Sequence, residues 1–208
     1  DSKGFPYGKL YQWGRRYGQG YSVEYDESEP VTIKGHVSSE VGQSEENSNN
    51  FYYYATYFTN DWITPMNDKI WNTGTEKDPL KTEFDPCPEG WRVPTYSELN
   101  KLRQNVSSKT TNDIGVKGCW FSGSKSYATS VPRVFFPLAG QRQGTYGDII
   151  GRGSDGYYWS SIVSDRSQYP YAAQCLYFMS ADASMSYSAR ATGKSVRCVK
   201  DKLIPVES

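Results

Sequence analysis

The sequence predicts an α+β fold: one clear helix, starting near Thr95, packed on a mostly antiparallel twisted sheet and joined by long loops. Three observations carry that reading. A complete helix-start signature stands at Val93-Pro-Thr-Tyr-Ser-Glu98. Aromatic and β-branched runs of strand character recur along the chain, separated by clusters of Gly, Ser, Asp and Pro. No second long amphipathic pattern is present, so the chain does not alternate strand and helix. The 208 residues suffice for one domain with its own core, read here as a single unit over 1–208.

Taken in order, segment 1–30 reads as a strand or two with tight turns. Gly8, Gly14, Gly18 and Gly20 punctuate it, and Tyr11, Trp13, Tyr17 and Tyr21 are its aromatic fill. Pro30-Val-Thr-Ile-Lys-Gly-His-Val37 alternates apolar and polar residues, as a short exposed strand does. Residues 38–50 are polar and read as a loop. Phe51-Tyr-Tyr-Tyr-Ala-Thr-Tyr-Phe58 is a dense aromatic run with strand propensity. At the helix, Thr95 is the N-cap, and Glu98 sits at the offset that completes a capping box. Leu99, Leu102 and Val106 then recur on one face, so the helix is expected to end before Ser107. Strands are expected around 118–121, 133–138, 157–162, 173–179 and 194–200. Trp91 and Trp159 are assigned to the core.

Composition narrows the function. Hydrophobic residues make up only 37% of the chain, and 18 Tyr, 8 Phe and 6 Trp are among them. The core must lean on rings, two kinds of which carry a polar handle that needs a partner. With 23 basic and 23 acidic residues, the chain has no basic footprint for nucleic acid and no polybasic membrane patch. No stretch approaches the length of a membrane span. No signal peptide stands at Asp1, which implies removal on maturation or a start downstream of one. Cys87, Cys119, Cys175 and Cys198 are even in number and contain no CxxC pair. Two disulfides in an exported protein account for them best, with three pairings open.

Candidate chemistry is sparse. Gly151-Arg-Gly-Ser-Asp-Gly156 matches GxGxxG by letters, but strand-like Tyr157-Tyr-Trp-Ser-Ser161 follows where a dinucleotide site needs a helix. It reads as a glycine-rich turn. Asp148 and Asp155 flank that turn and would suit calcium, without the spacing of a calcium-binding loop; no cofactor is otherwise expected. Asn105-Val-Ser107 is a glycosylation sequon by letters. His36 is the only histidine, which removes most zinc and Cys–His schemes. No local constellation argues for acid–base catalysis, so the chain is read as no enzyme. Tyr146, Tyr169, Tyr171 and Tyr187 fall in loops or at strand ends, where aromatic faces can stack on sugar rings.

Three stretches carry a resemblance. They are Leu10-Tyr-Gln-Trp-Gly-Arg15, Asp85-Pro-Cys-Pro-Glu-Gly-Trp-Arg-Val-Pro-Thr95, and the pair Gly156-Tyr-Tyr-Trp-Ser-Ser161 with Gly193-Lys-Ser-Val-Arg-Cys-Val199. Together, over about 8–201, they resemble the Fibrobacter succinogenes major paralogous domain (FISUMP) family. That resemblance implies a C-type-lectin-like fold, shared with formylglycine-generating enzymes. It also implies export to the surface or outer membrane of Bacteroidetes-type bacteria, as a lipoprotein or adhesin. It further implies the pairing Cys87–Cys198, closing a loop worth about 4–5 kcal/mol in the chain-entropy model, and leaves Cys119 with Cys175. The calcium-dependent lectin tripeptides EPN and QPD are absent, so that sugar site is not encoded. The late cysteines do not reproduce the formylglycine pattern.

In lectin-like folds ligands meet the long-loop region, here 122–156, so the resemblance nominates Arg142, Tyr146, Asp148, Arg152 and Asp155 as a binding surface. The expected function is a non-catalytic cell-surface module binding glycan or protein. A structural subunit of a fimbria-like assembly is the alternative, and a formylglycine-type enzyme a remote one.

Overall fold

A computed structural model of the chain describes residues 7–19, 31–54, 61–104, 106–111, 115–122, 132–163, 165, 167–179 and 182–202. Tyr21, residues 55–58 of the aromatic run and the sequon residue Asn105 lie outside them.

The predicted helix is present as α2 (Tyr96–Arg103), and its capping box is complete. Thr95 Oγ1 accepts the Glu98 amide at 3.4 Å, and the Thr95 amide donates to Glu98 Oε2 at 2.8 Å. Leu99 is its buried residue. The helix stops three residues short of the expected end: Val106 opens β5 (Val106–Thr111). A shorter helix, α1 (Ser39–Gly42), sits in the segment read as loop, capped by Ser38.

Strands are the main regular structure of the remainder, and all pairings of named strands but one are antiparallel. The central sheet has the order β10 (Asp155–Val163), β11 (Ala172–Met179), β12 (Asp182–Ala189). β5, β6 (Gly118–Ser122) and β7 (Arg133–Pro137) form a second. A third runs β1 (Tyr11–Gln12), β13 (Gly193–Lys194), β8 (Gln141–Arg142), β9 (Ile149–Ile150). β4 (Trp91–Arg92) pairs with β14 (Val199–Lys200), and β2 (Val31–Lys34) pairs in parallel with β3 (Asn50–Tyr53). This bears out an α+β chain of mostly antiparallel sheets with few helices. The single strand expected over 194–200 is two, because its ends serve different sheets.

The central sheet is covered on both faces. Side chains alternate across a strand, so Trp159 and Cys175 join one apolar cluster while Tyr158 and Leu176 join another. Leu99 of α2 and Phe121 and Phe136 of β6 and β7 fill the second cluster. The first is built on Trp13, Trp62, Trp71 and Trp159, all essentially inaccessible. A buried indole must place its N–H. Each does so on a backbone carbonyl: Trp13 on Ser160 (2.9 Å), Trp62 on Trp13 (2.6 Å), Trp71 on Arg15 (3.2 Å) and Trp159 on Tyr11 (2.7 Å). An aromatic core is thus affordable because its polar edges tie distant segments together.

The segment 85–98 is architectural. Asp85 accepts the amides of Cys87 and Val93, both at 2.8 Å. Arg92 makes a bidentate pair with Glu98 (2.8 and 2.7 Å) and reaches Asp201 at 3.1 Å. Because Arg92 turns inward, its strand neighbour Trp91 turns outward and is 44% exposed. Trp91 is therefore a surface residue, contrary to the core assignment; Trp159 is in the core as expected.

The Cys87–Cys198 disulfide is present. The second expected bridge is not: Cys119 and Cys175 are both buried and carry no disulfide. They belong to different clusters, with Cys175 on the far side of the central sheet from Cys119. Strand alternation, which the sequence does not reveal between two separate strands, turns the thiols apart.

Candidate functional site

The five nominated residues do not converge. β8 and β9 form a hairpin closed by the Gln143 amide on the Asp148 carbonyl (2.8 Å), with Gly147 at φ 87°. Arg142 is 1% exposed. Its guanidinium lies under the hairpin, donating to the Gly147 carbonyl at 2.6 Å and stacked over Phe51. It braces the turn from inside and is no surface ligand. Tyr146, at the tip, is 64% exposed, and Asp148 is exposed beside it. Arg152 belongs to the next turn, the glycine-rich one, where Gly151 and Gly153 take positive φ, and Asp155 opens β10 at its end. Arg152 lies over Tyr7, while Asp155 accepts from Ser154 Oγ (2.6 Å) and Tyr177 Oη (3.2 Å). Among the described residues no group of three or more His, Cys, Asp or Glu side chains stands together as a metal site.

The other side of the same hairpin does line a cleft, of about 640 Å³. One wall is Gln141, Gln143, Gly144, Thr145 and Ile150; the other is Gln168–Ala172, Tyr187–Ala189 and Thr192. Gly144 sets the wall spacing: a Cβ there would stand 3.1 Å from the backbone of Ala191 and Thr192. Its carbonyl also accepts the Tyr54 amide at 2.9 Å. The aromatic feature is Tyr169 stacked on Tyr187, centroids 3.7 Å apart and planes 26° apart. Both are exposed, at 37% and 48%. The Tyr187 hydroxyl is held above its ordinary range by its hydrogen bond to Tyr169. Tyr171 is placed by its own carbonyl, which takes the Arg190 amide at 3.0 Å.

The described lining carries no charged side chain. Its polar groups are the amides of Gln141, Gln143 and Gln168 and the hydroxyls of Tyr, Thr and Ser. Such a set offers donors and acceptors together on an apolar ground. Beneath the cleft lies a buried cation. Lys194 is 1% exposed, and its ammonium sits over the rings of Tyr157 (4.1 Å) and Trp159 (5.3 Å). It donates to Gln141 Oε1. Burial pushes its pKa down to about 8.

A wider hollow of about 920 Å³ borders the disulfide. Its two lysines are already engaged: Lys202 pairs with Asp78 at 2.8 Å, and Lys81 donates to the Pro88 and Trp91 carbonyls.

Tyr169, Tyr171 and Tyr187, expected from the sequence as ring surfaces, are brought together by the fold. Tyr146 stays apart at the hairpin tip. The glutamines and Lys194 went unread, because isolated Gln residues carry no local signal. Their convergence depends on Gly193 pairing with Arg142 across β13 and β8, a contact between distant parts of the chain. No family model matches the sequence, and no curated protein or solved structure matches it either.

Proposed function

We propose that the chain is an exported, non-catalytic binding or adhesion module of a bacterial surface, C-type-lectin-like and of FISUMP type. In this reading it takes an uncharged saccharide in the cleft between the β8–β9 hairpin and the Tyr169–Tyr187 pair. The observation that carries the reading is the pairing of exposed, stacked rings with amides in a lining without charge. Tyrosine faces pack on the C–H surfaces of a sugar, and amides serve hydroxyls that both donate and accept. An anionic ligand would want cations there. Export is supported by the Cys87–Cys198 disulfide, and no described helix is long and apolar enough to cross a membrane.

The test is a broad glycan array, probed with and without chelator, using wild type and Tyr169→Ala. The expected result is a hit on uncharged glycans that survives chelation and weakens at least about tenfold in the variant, or about 1.4 kcal/mol. A hit lost on chelation would return weight to Asp148 and Asp155 and a cation. A blank array under both conditions would overturn the saccharide reading in favour of a protein ligand.

A further inference from the structure

We infer that Gln141 is the hydrogen-bond donor that reads the saccharide in this cleft, and that Lys194 is the positioning residue that fixes it in that role. The inference rests on the saccharide reading of the cleft. Its own basis is the chemistry of the pair beneath the site.

An amide side chain is ordinarily ambiguous, since its oxygen and nitrogen can exchange places by a half-turn. At Gln141 a chemical argument removes the ambiguity. A lysine ammonium has three donors and no acceptor, so the atom facing Lys194 Nζ must be Oε1, as the structure has it. Lys194 cannot relax away to water. It is 1% exposed and held between β1 and β8 by strand pairing, with Tyr157 and Trp159 under its charge. With its oxygen bound from below, Gln141 is left with the two N–H donors of Nε2, and it lines the cleft. A charge-assisted bond from below also strengthens those donors by polarising the amide. The half of the ligand that meets Gln141 therefore presents an acceptor oxygen: a hydroxyl, a ring oxygen or an acetamido carbonyl.

The experiment measures binding of chitotetraose and cellotetraose by titration calorimetry to wild type, Tyr169→Ala, Gln141→Glu, Gln141→Ala, Lys194→Met and the double variant Gln141→Ala/Lys194→Met. Gln141→Glu is the decisive variant. Its carboxylate keeps the shape and an oxygen for Lys194 while removing both donors, so the fold should hold by thermal melt. We expect at least a tenfold loss of affinity with Gln141→Glu. We also expect Lys194→Met to weaken wild type severalfold but to add nothing in the Gln141→Ala background, a coupling that general destabilisation would not produce. Preference for chitotetraose assigns the acceptor as an acetamido carbonyl, and equal binding assigns it as a hydroxyl or ring oxygen; both support the inference. Should Tyr169→Ala lose binding while Gln141→Glu stays within twofold of wild type, the saccharide site stands and the Gln141 assignment is overturned. If neither probe binds wild type, the inference falls, and the glycan array alone decides the saccharide reading. If Lys194→Met does not fold, Gln141→Glu still decides.

Discussion

At the scale of single residues, the molecule is organised around buried cations that find carbonyls, carboxylates and rings. Arg15 donates to the carbonyls of Gly42 (3.2 Å) and Asn47 (3.0 Å), and its guanidinium lies against Tyr52 and Trp62. Arg190 reaches Asp68 at 2.6 Å and Asp61 at 3.5 Å. Burial pushes the Asp61 pKa up to about 7, outweighing the opposing pull of Arg190 and of the Ile63 and Trp62 amides. An unfolded aspartate titrates near about 3.9. Between those values the folded chain holds a proton that the unfolded chain has released. The contribution of Asp61 is therefore fully present below about pH 4 and is lost as pH rises through 7. In paired urea titrations, Asp61→Asn is expected to gain on wild type steadily from pH 4 to pH 7 and then run level. A constant gap across that range would mean that Asp61 is ionised in the folded protein throughout.

Elements differ in how much of them the sequence discloses, and the reason is locality. The α2 start is written within four residues, Thr95 to Glu98, and the fold reproduces it. Its end is not, because Leu99, Leu102 and Val106 keep helical spacing while the chain leaves the helix after Arg103 to make β5. Strand β12 escaped notice. Its sequence, Asp-Ala-Ser-Met-Ser-Tyr-Ser-Ala, lacks β-branched residues, and what makes it a strand is eight residues of register with β11. Strand β10 shows the opposite case: Tyr157-Tyr-Trp reads as strand at sight, yet only the assembled sheet shows that both its faces are covered. Trp159 is the test of that element. Its indole is inaccessible and its N–H is bound to Tyr11. Trp159→Ala should cost roughly 3–5 kcal/mol, whereas Trp91→Ala, on an exposed neighbour, should stay within about 0.5 kcal/mol. Chemical denaturation of the two variants checks the contrast. Equal losses would return Trp91 to the core.

Across the whole molecule, long-range ties replace the large aliphatic core the composition denies it. The motifs most legible in sequence serve this end: Gln12 donates to the carbonyls of Tyr52 (2.6 Å) and Ala191 (2.8 Å), and Asp85, Arg92 and Glu98 lock 85–98 against the C-terminal strand. Their residues are spoken for by the fold, which is why they did not point to the cleft. The cleft lies instead on residues with no motif, brought together by two hairpins and by the pairing of Gly193 with Arg142 across distant parts of the chain. Among the ties, only Cys87–Cys198 is covalent, spanning 111 positions. Cross-linking so long a loop restricts the unfolded chain far more than the folded one. The double variant Cys87→Ser/Cys198→Ser should therefore lose about 2–5 kcal/mol while keeping the cleft, since neither cysteine lines it. Thiol counting separates this account from the two-bridge expectation. Unreduced wild type should show almost no reactive thiol when native, because Cys119 and Cys175 are buried and burial pushes the Cys175 thiol up. In denaturant it should show two. A count of zero under denaturant would mean that the remaining cysteines pair after all. That would require β11 to turn Cys175 toward the cluster that holds Cys119 of β6, overturning the alternation on which both the core and the cleft depend.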